Sequence, residues 1–256
     1  MVRLDANPHP SVSEDIPDEL KLPTNLYSDE PQLETDFHRC QIDLLIRLLE
    51  FWWQDRSDFY ISGNLTVYYN EQQLKKRDFV GPDIFVVLGA EKRKRRSWAI
   101  WEEGGKYPNI VIELLSSSTA AVDKGKKKDL YQDVWRVPDY FWFHPQTMEF
   151  AGFHLVDGKY ETIPATDGRL WSGQLGLYLG IHAEQLRLFT AEGQLIPLPE
   201  EQAEQQAQQA QQRAEQAQKQ TEKAQQRAEQ AEQQQERLEA FLRSQGIDPN
   251  HLPDAE

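Results

Sequence analysis

Two short runs, Ile84-Phe-Val-Val-Leu88 and Ile110-Val-Ile-Glu-Leu-Leu115, constrain this chain more than any other feature. Both are nearly continuous in apolar character, rich in β-branched residues and too short for an ordinary helix. A strand with one wet face would alternate apolar and polar residues, so these runs fit central strands covered on both faces. Each also carries a carboxylate. Asp83 follows Pro82 at the entrance to the first run, and Glu113 lies inside the second. A charge between apolar neighbours on a covered strand is costly unless it is paired or binds a metal.

The flanking sequence supplies helices and further strands. Phe37, Cys40, Leu44, Leu45, Leu48, Leu49 and Trp52 recur at three- and four-residue steps, which predicts a helix over 34–54 with one buried face. Segments 59–69 and 98–101 read as strands, separated by Gly, Pro, Asn and charged turns. Ser116-Ser-Ser-Thr119 offers capping hydroxyls before a helix over 120–135 that contains Gly125 and is ended by Pro138. Strands follow over 140–143, 149–155 and 160–163, with a hairpin turn at Val156-Asp-Gly-Lys159. Trp52, Trp53, Trp135 and Trp142 fit core packing. The order implies an α/β fold, a mixed sheet with helices packed on it.

The two ends differ from this middle. Residues 1–33 are rich in Pro, Asp, Glu and Ser without an apolar period, and read as a flexible acidic arm. From about 200 to 245, Ala203, Ala207, Ala210, Ala214 and Ala217 begin a three-four repeat that ends at Leu238 and Leu242. That heptad seam predicts a helix on the order of 60 Å long. Alanine buries little area, so the helix is either a single solvated Ala/Gln/Glu rod or a coiled coil that makes a homo-oligomer. Gly246 and Pro249 end it, leaving 246–256 as a tail.

Charge restricts the partners. The formal net charge is −14, against a protein that coats nucleic acid indiscriminately. The acid is uneven, however: about −6 over 1–34, about −3 over 35–200 and about −5 over 201–256. A nearly balanced central domain, 34–199, can still carry a basic face. Lys92-Arg93-Lys94-Arg95-Arg96 forms a dense loop between two expected strands, read either as a DNA-phosphate contact or as a solvated turn. One cysteine, Cys40, fits a reducing compartment, and no run is long enough to span a membrane. A cytoplasmic protein is expected.

The residues that carry chemistry are Asp83, Glu113, Asp123, Lys127 and Tyr131. On a helix the last three, four apart, line one face. Each has a plain alternative: a turn for Pro82-Asp83, a solvent-facing or salt-bridged position for Glu113, and a surface ion pair with a half-buried tyrosine for Asp123, Lys127 and Tyr131. Two carboxylate-bearing strands followed by a lysine-bearing helix in one compact unit make a phosphodiesterase site the better reading.

Pro82-Asp83, Glu113-Leu-Leu-Ser116, Ser118-Thr119, Asp123-Lys-Gly-Lys-Lys127, Tyr131 and Pro138-Asp-Tyr-Phe-Trp142 together resemble the Uma2 (Uma-two) family, a bacterial group described as restriction endonucleases of the PD-(D/E)XK superfamily. The resemblance covers roughly 34–190. It implies a restriction-endonuclease-like mixed sheet flanked by helices and magnesium-dependent cleavage of DNA, with manganese as a possible substitute. Asp83 and Glu113 would hold the metal, with the Leu114 carbonyl beside them, and Lys127 would be the catalytic lysine. Asp123 and Tyr131 would fix that lysine.

Several positions depart from the superfamily pattern. Leu115 stands where the superfamily lysine usually does, so the lysine would come from the next helix, where Lys124, Lys126 and Lys128 compete with Lys127. His144-Pro145 replaces the usual Asp-Pro. Glu34, with Asp36 second, is the candidate for the acidic residue that many such nucleases place on the first helix. His38, four residues after Glu34, either approaches the site or packs at a helix edge, and packing is the better reading. The rival to a nuclease is a scaffold that keeps the fold and assembles through its C-terminal helix.

Overall fold

A computed structural model describes residues 24, 36–70, 73, 80–116 and 120–246. The chain divides into two compact units between Ile196 and Pro197.

In the first unit, helix α1 (Asp36–Trp52) buries Ile42, Leu44, Leu45, Leu48 and Leu49. Leu45, Leu48 and Leu49 are fully enclosed, each stabilising the fold by about 1.5–3 kcal/mol. The buried face is rotated from the expected one. Cys40 and Trp52 are exposed, while the polar His38 and Gln41 are buried. Gln41 is buried because it has backbone partners: its Nε2 donates to Leu186 O at 2.9 Å and its Oε1 accepts from Leu186 N at 3.0 Å. Trp53, beyond the helix, takes the core position and meets Phe59 edge-on at 4.9 Å.

A six-stranded sheet forms the centre, in the order β1 (Phe59–Gly63), β3 (Ile84–Leu88), β5 (Ile110–Leu114), β6 (Asp139–His144), β7 (Glu149–Val156), β8 (Lys159–Thr162). Only β5 and β6 pair in parallel, so the sheet is mixed as expected. All five residues of β5 are buried, and four of β3. The stretch 59–69 is interrupted after β1, and β2 (Val67–Tyr68) instead pairs with β4 (Trp98–Ala99). Asn64, at φ 48°, turns the chain there. Gly63 is required beside it, since a Cβ would overlap Ile42 Cγ2 of α1 and approach Asp83 O to 2.9 Å.

Helix α2 spans 120–134 and packs Tyr131 into one face of the sheet with Phe85, Val87, Val111 and Leu115. Two stretches, Asp123–Lys127 and Leu130–Val134, have wide π turns. The sequence pattern predicts no element over 164–198. There the chain builds a second, antiparallel sheet, β9 (Ala165–Thr166), β10 (Arg169–Ser172), β11 (Leu177–His182) and β12 (Gln185–Phe189). Buried Asp139 links the sheets: Ser172 Oγ donates to its Oδ2 at 2.6 Å, and His154 Nδ1 lies 2.6 Å from its Oδ1.

The second unit contains α3 (Pro199–Ser244), 46 residues or about 70 Å of helix with no buried residue. Glu201 Oε2 accepts from Leu198 N–H at 2.8 Å to close its first turn, and Gly246, at φ 75°, follows its end. Gln211–Glu215, Gln218–Glu222 and Gln235–Glu239 hydrogen bonds brace its surface. Among the described residues no helix is long and apolar enough to cross a membrane.

Candidate active site

Strand alternation puts the two carboxylates on one face of the sheet. Asp83 has the parity of Phe85 and Val87, and Glu113 that of Val111 and Leu115, all of which face α2. The two residues are joined twice: Asp83 N–H donates to Glu113 Oε2 at 3.2 Å, and Asp83 Oδ2 accepts from Leu114 N–H at 2.7 Å. From α2, Tyr131 Oη donates to Glu113 Oε1 at 2.6 Å and Lys127 Nζ to the same oxygen at 3.2 Å. Lys127 Nζ also sits 3.0 Å from Asp123 Oδ1. Tyr140 Oη secures the turn by donating to the Asp123 main-chain carbonyl at 2.9 Å. A π turn widens the helix where Asp123 and Lys127 stand, a distortion that is frequent at functional sites.

Glu113 and Asp123 are buried and Asp83 partly so. Burial pushes the Glu113 carboxyl up to about 7; Lys127 opposes that rise and Asp83 adds to it. Burial also raises Asp83 against the pull of Lys127. For Lys127 burial acts downward, but Glu113, Asp123 and Asp83 outweigh it and hold the ammonium above its ordinary range. Burial and the Glu113 charge keep Tyr131 a neutral donor. Fully ionised, three carboxylates face one ammonium, an excess of two negative charges.

That excess equals the charge of one divalent cation, and the donors are hard oxygens, so the residues fit magnesium better than a softer metal. Among the described residues, no three His, Cys, Asp or Glu side chains converge as metal ligands. A cation here would take Asp83 and Glu113, with its remaining positions open to water, main chain or substrate, as magnesium commonly does.

The family model described as "Putative restriction endonuclease", Uma2, matches residues 26–188, more than half of the chain and every residue of this cluster. The chain belongs to the Uma2 family. No curated protein matches. Among solved structures, the chain is similar to a putative nuclease belonging to DUF820 from Anabaena variabilis ATCC 29413, with 13% identity, a TM-score of 0.41, and coverage of 57% of this chain and 76% of that one.

Within the Uma2 match, geometry separates the four lysines of α2. Lys127 reaches Glu113, whereas Lys124 pairs with Glu149 at 2.7 Å and lies over Trp142, Lys128 lies over Phe153, and Lys126 is exposed. Leu115, at the usual lysine position, is fully buried in the apolar cluster with Tyr131 and Trp135. Glu34, Ser118 and Thr119 lie outside the described residues. Asp36 is on the surface, paired with Arg39 at 3.2 Å.

The residue of α1 that does reach the cluster is His38, whose Nε2 is 3.0 Å from Leu114 O. The sequence favours packing over approach to the site for this residue. Its four-residue offset from Glu34 was the available signal, but a carbonyl partner 76 positions away in the chain left no local trace.

The basic loop lies away from the carboxylates. It follows the Leu88 end of β3, while Asp83 precedes the Ile84 end, so a strand's length of about 17 Å separates them. Arg95 is engaged within the fold. Its side chain is 3% exposed, pairs with Glu103 at 2.6 and 2.9 Å, and stacks on Tyr60 and Trp98. Arg93 also pairs with Glu103, at 2.7 Å; Lys94 and Arg96 are exposed.

Serine, histidine and aspartate also meet at Ser172, His154 and Asp139, but both partners bind the aspartate. A nucleophile–base contact is what a triad needs, and the bonds made here are those of a structural link.

Proposed function

We propose that this chain is a divalent-metal-dependent endonuclease that hydrolyses DNA phosphodiester bonds, using magnesium or, in its place, manganese. The observation that carries the reading is the buried cluster itself: Asp83 and Glu113 on one face of the sheet, with Lys127 as their ammonium partner. Membership of a family described as restriction endonucleases supports nucleic acid as the substrate class.

Asp83 and Glu113 would hold the cation, which when bound supplies Lewis acidity and a water more easily deprotonated than in bulk. Lys127, kept charged by its three carboxylate neighbours, orients the attacking water and offsets charge growing on the phosphoryl oxygens. Asp123 holds the ammonium, and Tyr131 fixes the Glu113 oxygen that the lysine shares. Their burial excludes the bulk water that would screen these charges. Helix α3, with its unburied three-four seam, would be the element through which copies of the chain associate, if they do so.

The test is conversion of supercoiled plasmid to nicked or linear DNA, with magnesium, manganese or chelator. Metal-dependent cleavage lost in Asp83→Ala and Lys127→Ala supports the reading. A wild-type protein that leaves plasmid and RNA intact with either metal would move the assignment to a scaffold of nuclease fold.

A further inference from the structure

The β3–β5 ladder stops at Ile84 and Ile112, two residues before Leu114. In a strand, the N–H and C=O of one residue face the same neighbour. On the other side of β5, Leu115 N–H already donates to Phe143 O of β6, so Leu114 turns both main-chain groups toward the place where β3 has ended. Two side chains fill the missing strand's role. Asp83 Oδ2 accepts from Leu114 N–H, and His38 Nε2 lies 3.0 Å from Leu114 O within a buried contact. A carbonyl only accepts, which places the proton of His38 on Nε2. A carbonyl oxygen has two lone pairs, so this bond leaves one for a further ligand.

We propose that His38 is a positioning residue of the site, holding the Leu114 carbonyl in place as a third oxygen donor beside Asp83 and Glu113. The inference rests on the metal-dependent reading above. It explains why a polar residue of α1 is buried against β5: one end of the Leu114 peptide is fixed by a carboxylate that takes part in the site, and the other by His38. A histidine that merely capped the strand would affect folding and leave the cation untouched.

The test is manganese binding to the metal-free full-length protein, followed by loss of the free-ion paramagnetic resonance signal, for wild type, His38→Gln, His38→Asn and Asp83→Ala. Glutamine places a donor near the Nε2 position, whereas asparagine falls short of it. His38→Asn is expected to weaken binding roughly 10–100-fold, as loss of a group orienting a metal ligand commonly does. His38→Gln stays within about threefold of wild type, and the urea midpoints of the two metal-free variants agree. Equal affinity in His38→Asn and wild type, or equal loss in both variants, would overturn the proposal.

A second readout needs no variant. In protein labelled with leucine carbonyl carbon-13, the Leu114 resonance must shift when magnesium is added, and a saturated protein with that resonance unmoved would also overturn it. Wild type that takes up no manganese, indistinguishable from Asp83→Ala, would instead remove the metal reading and this inference with it.

Discussion

Two charged regions at opposite ends of β3 use the same kinds of residue to opposite effect. At the Leu88 end, Arg93 and Arg95 converge on Glu103 and Lys92 approaches Glu50 at 3.4 Å, so cations are matched by anions on or near the surface. At the Ile84 end, Asp83, Glu113 and Asp123 are matched by Lys127 alone, and two of the three carboxylates are buried. The first arrangement pairs its cations with carboxylates and braces a loop. The second leaves negative charge inside the fold, a cost that a structural ion pair does not need and a cation site does.

The sharpest way to break this contrast is to remove one cation from each region. Lys127→Met should lower single-turnover plasmid cleavage by about 10²–10³-fold, the scale for losing one preorganised charge at a reacting centre. Far-ultraviolet dichroism checks that the variant is folded. Cleavage unchanged in Lys127→Met would place the chemistry elsewhere.

Titration separates the regions next. Unfolded chain releases the Glu113 proton near the ordinary 4.5, while the folded protein keeps it to about 7. Between those values the folded state binds more protons, so the Glu113 contribution to stability falls as pH rises. The raised Lys127 value does not act in this window, because its contribution is complete below the ordinary lysine range and is lost only above it. Relative to Glu113→Gln, metal-free wild type should lose about 3 kcal/mol of unfolding free energy between pH 4.5 and 7. Urea denaturation of both proteins across that range measures it, and a difference that stays flat with pH would show that Glu113 is not a strained acid.

Arg95→Met tests the balanced region. It leaves the mostly buried Glu103 paired with the half-exposed Arg93, and should destabilise the fold by about 2 kcal/mol. Plasmid cleavage per folded molecule should stay within about threefold of wild type, given the strand's length between the loop and Asp83. The smallest effect is expected at Lys94→Gln, an exposed cation, whose unfolding free energy should change by less than about 0.5 kcal/mol. A loss of DNA affinity there, read by filter binding, would restore the loop to the substrate path.

The same contrast explains what could be read from the sequence. β3 and β5 were legible because their apolar runs reflect burial on both faces, and Asp83 and Glu113 because a carboxylate stands out against such runs. Lys127 was separated from its neighbours only by contacts across the fold, to Glu113 for one and to Glu149, Trp142 and Phe153 for the others. Arg95 looked exposed because its neutralising partner, Glu103, is eight residues on in the chain. His38 and Gln41 are polar and would be placed in water, yet each is buried against a backbone group distant in sequence. β9 and β10 are only two and four residues long, too short to leave a period.

The most direct measurement is a crystal structure of the full chain with manganese, with data collected at the metal's absorption edge. The account predicts one anomalous peak bridging Asp83 and Glu113, about 2.1 Å from oxygens of both carboxylates. A peak elsewhere, or none while the ion saturates the protein in solution, would contradict it.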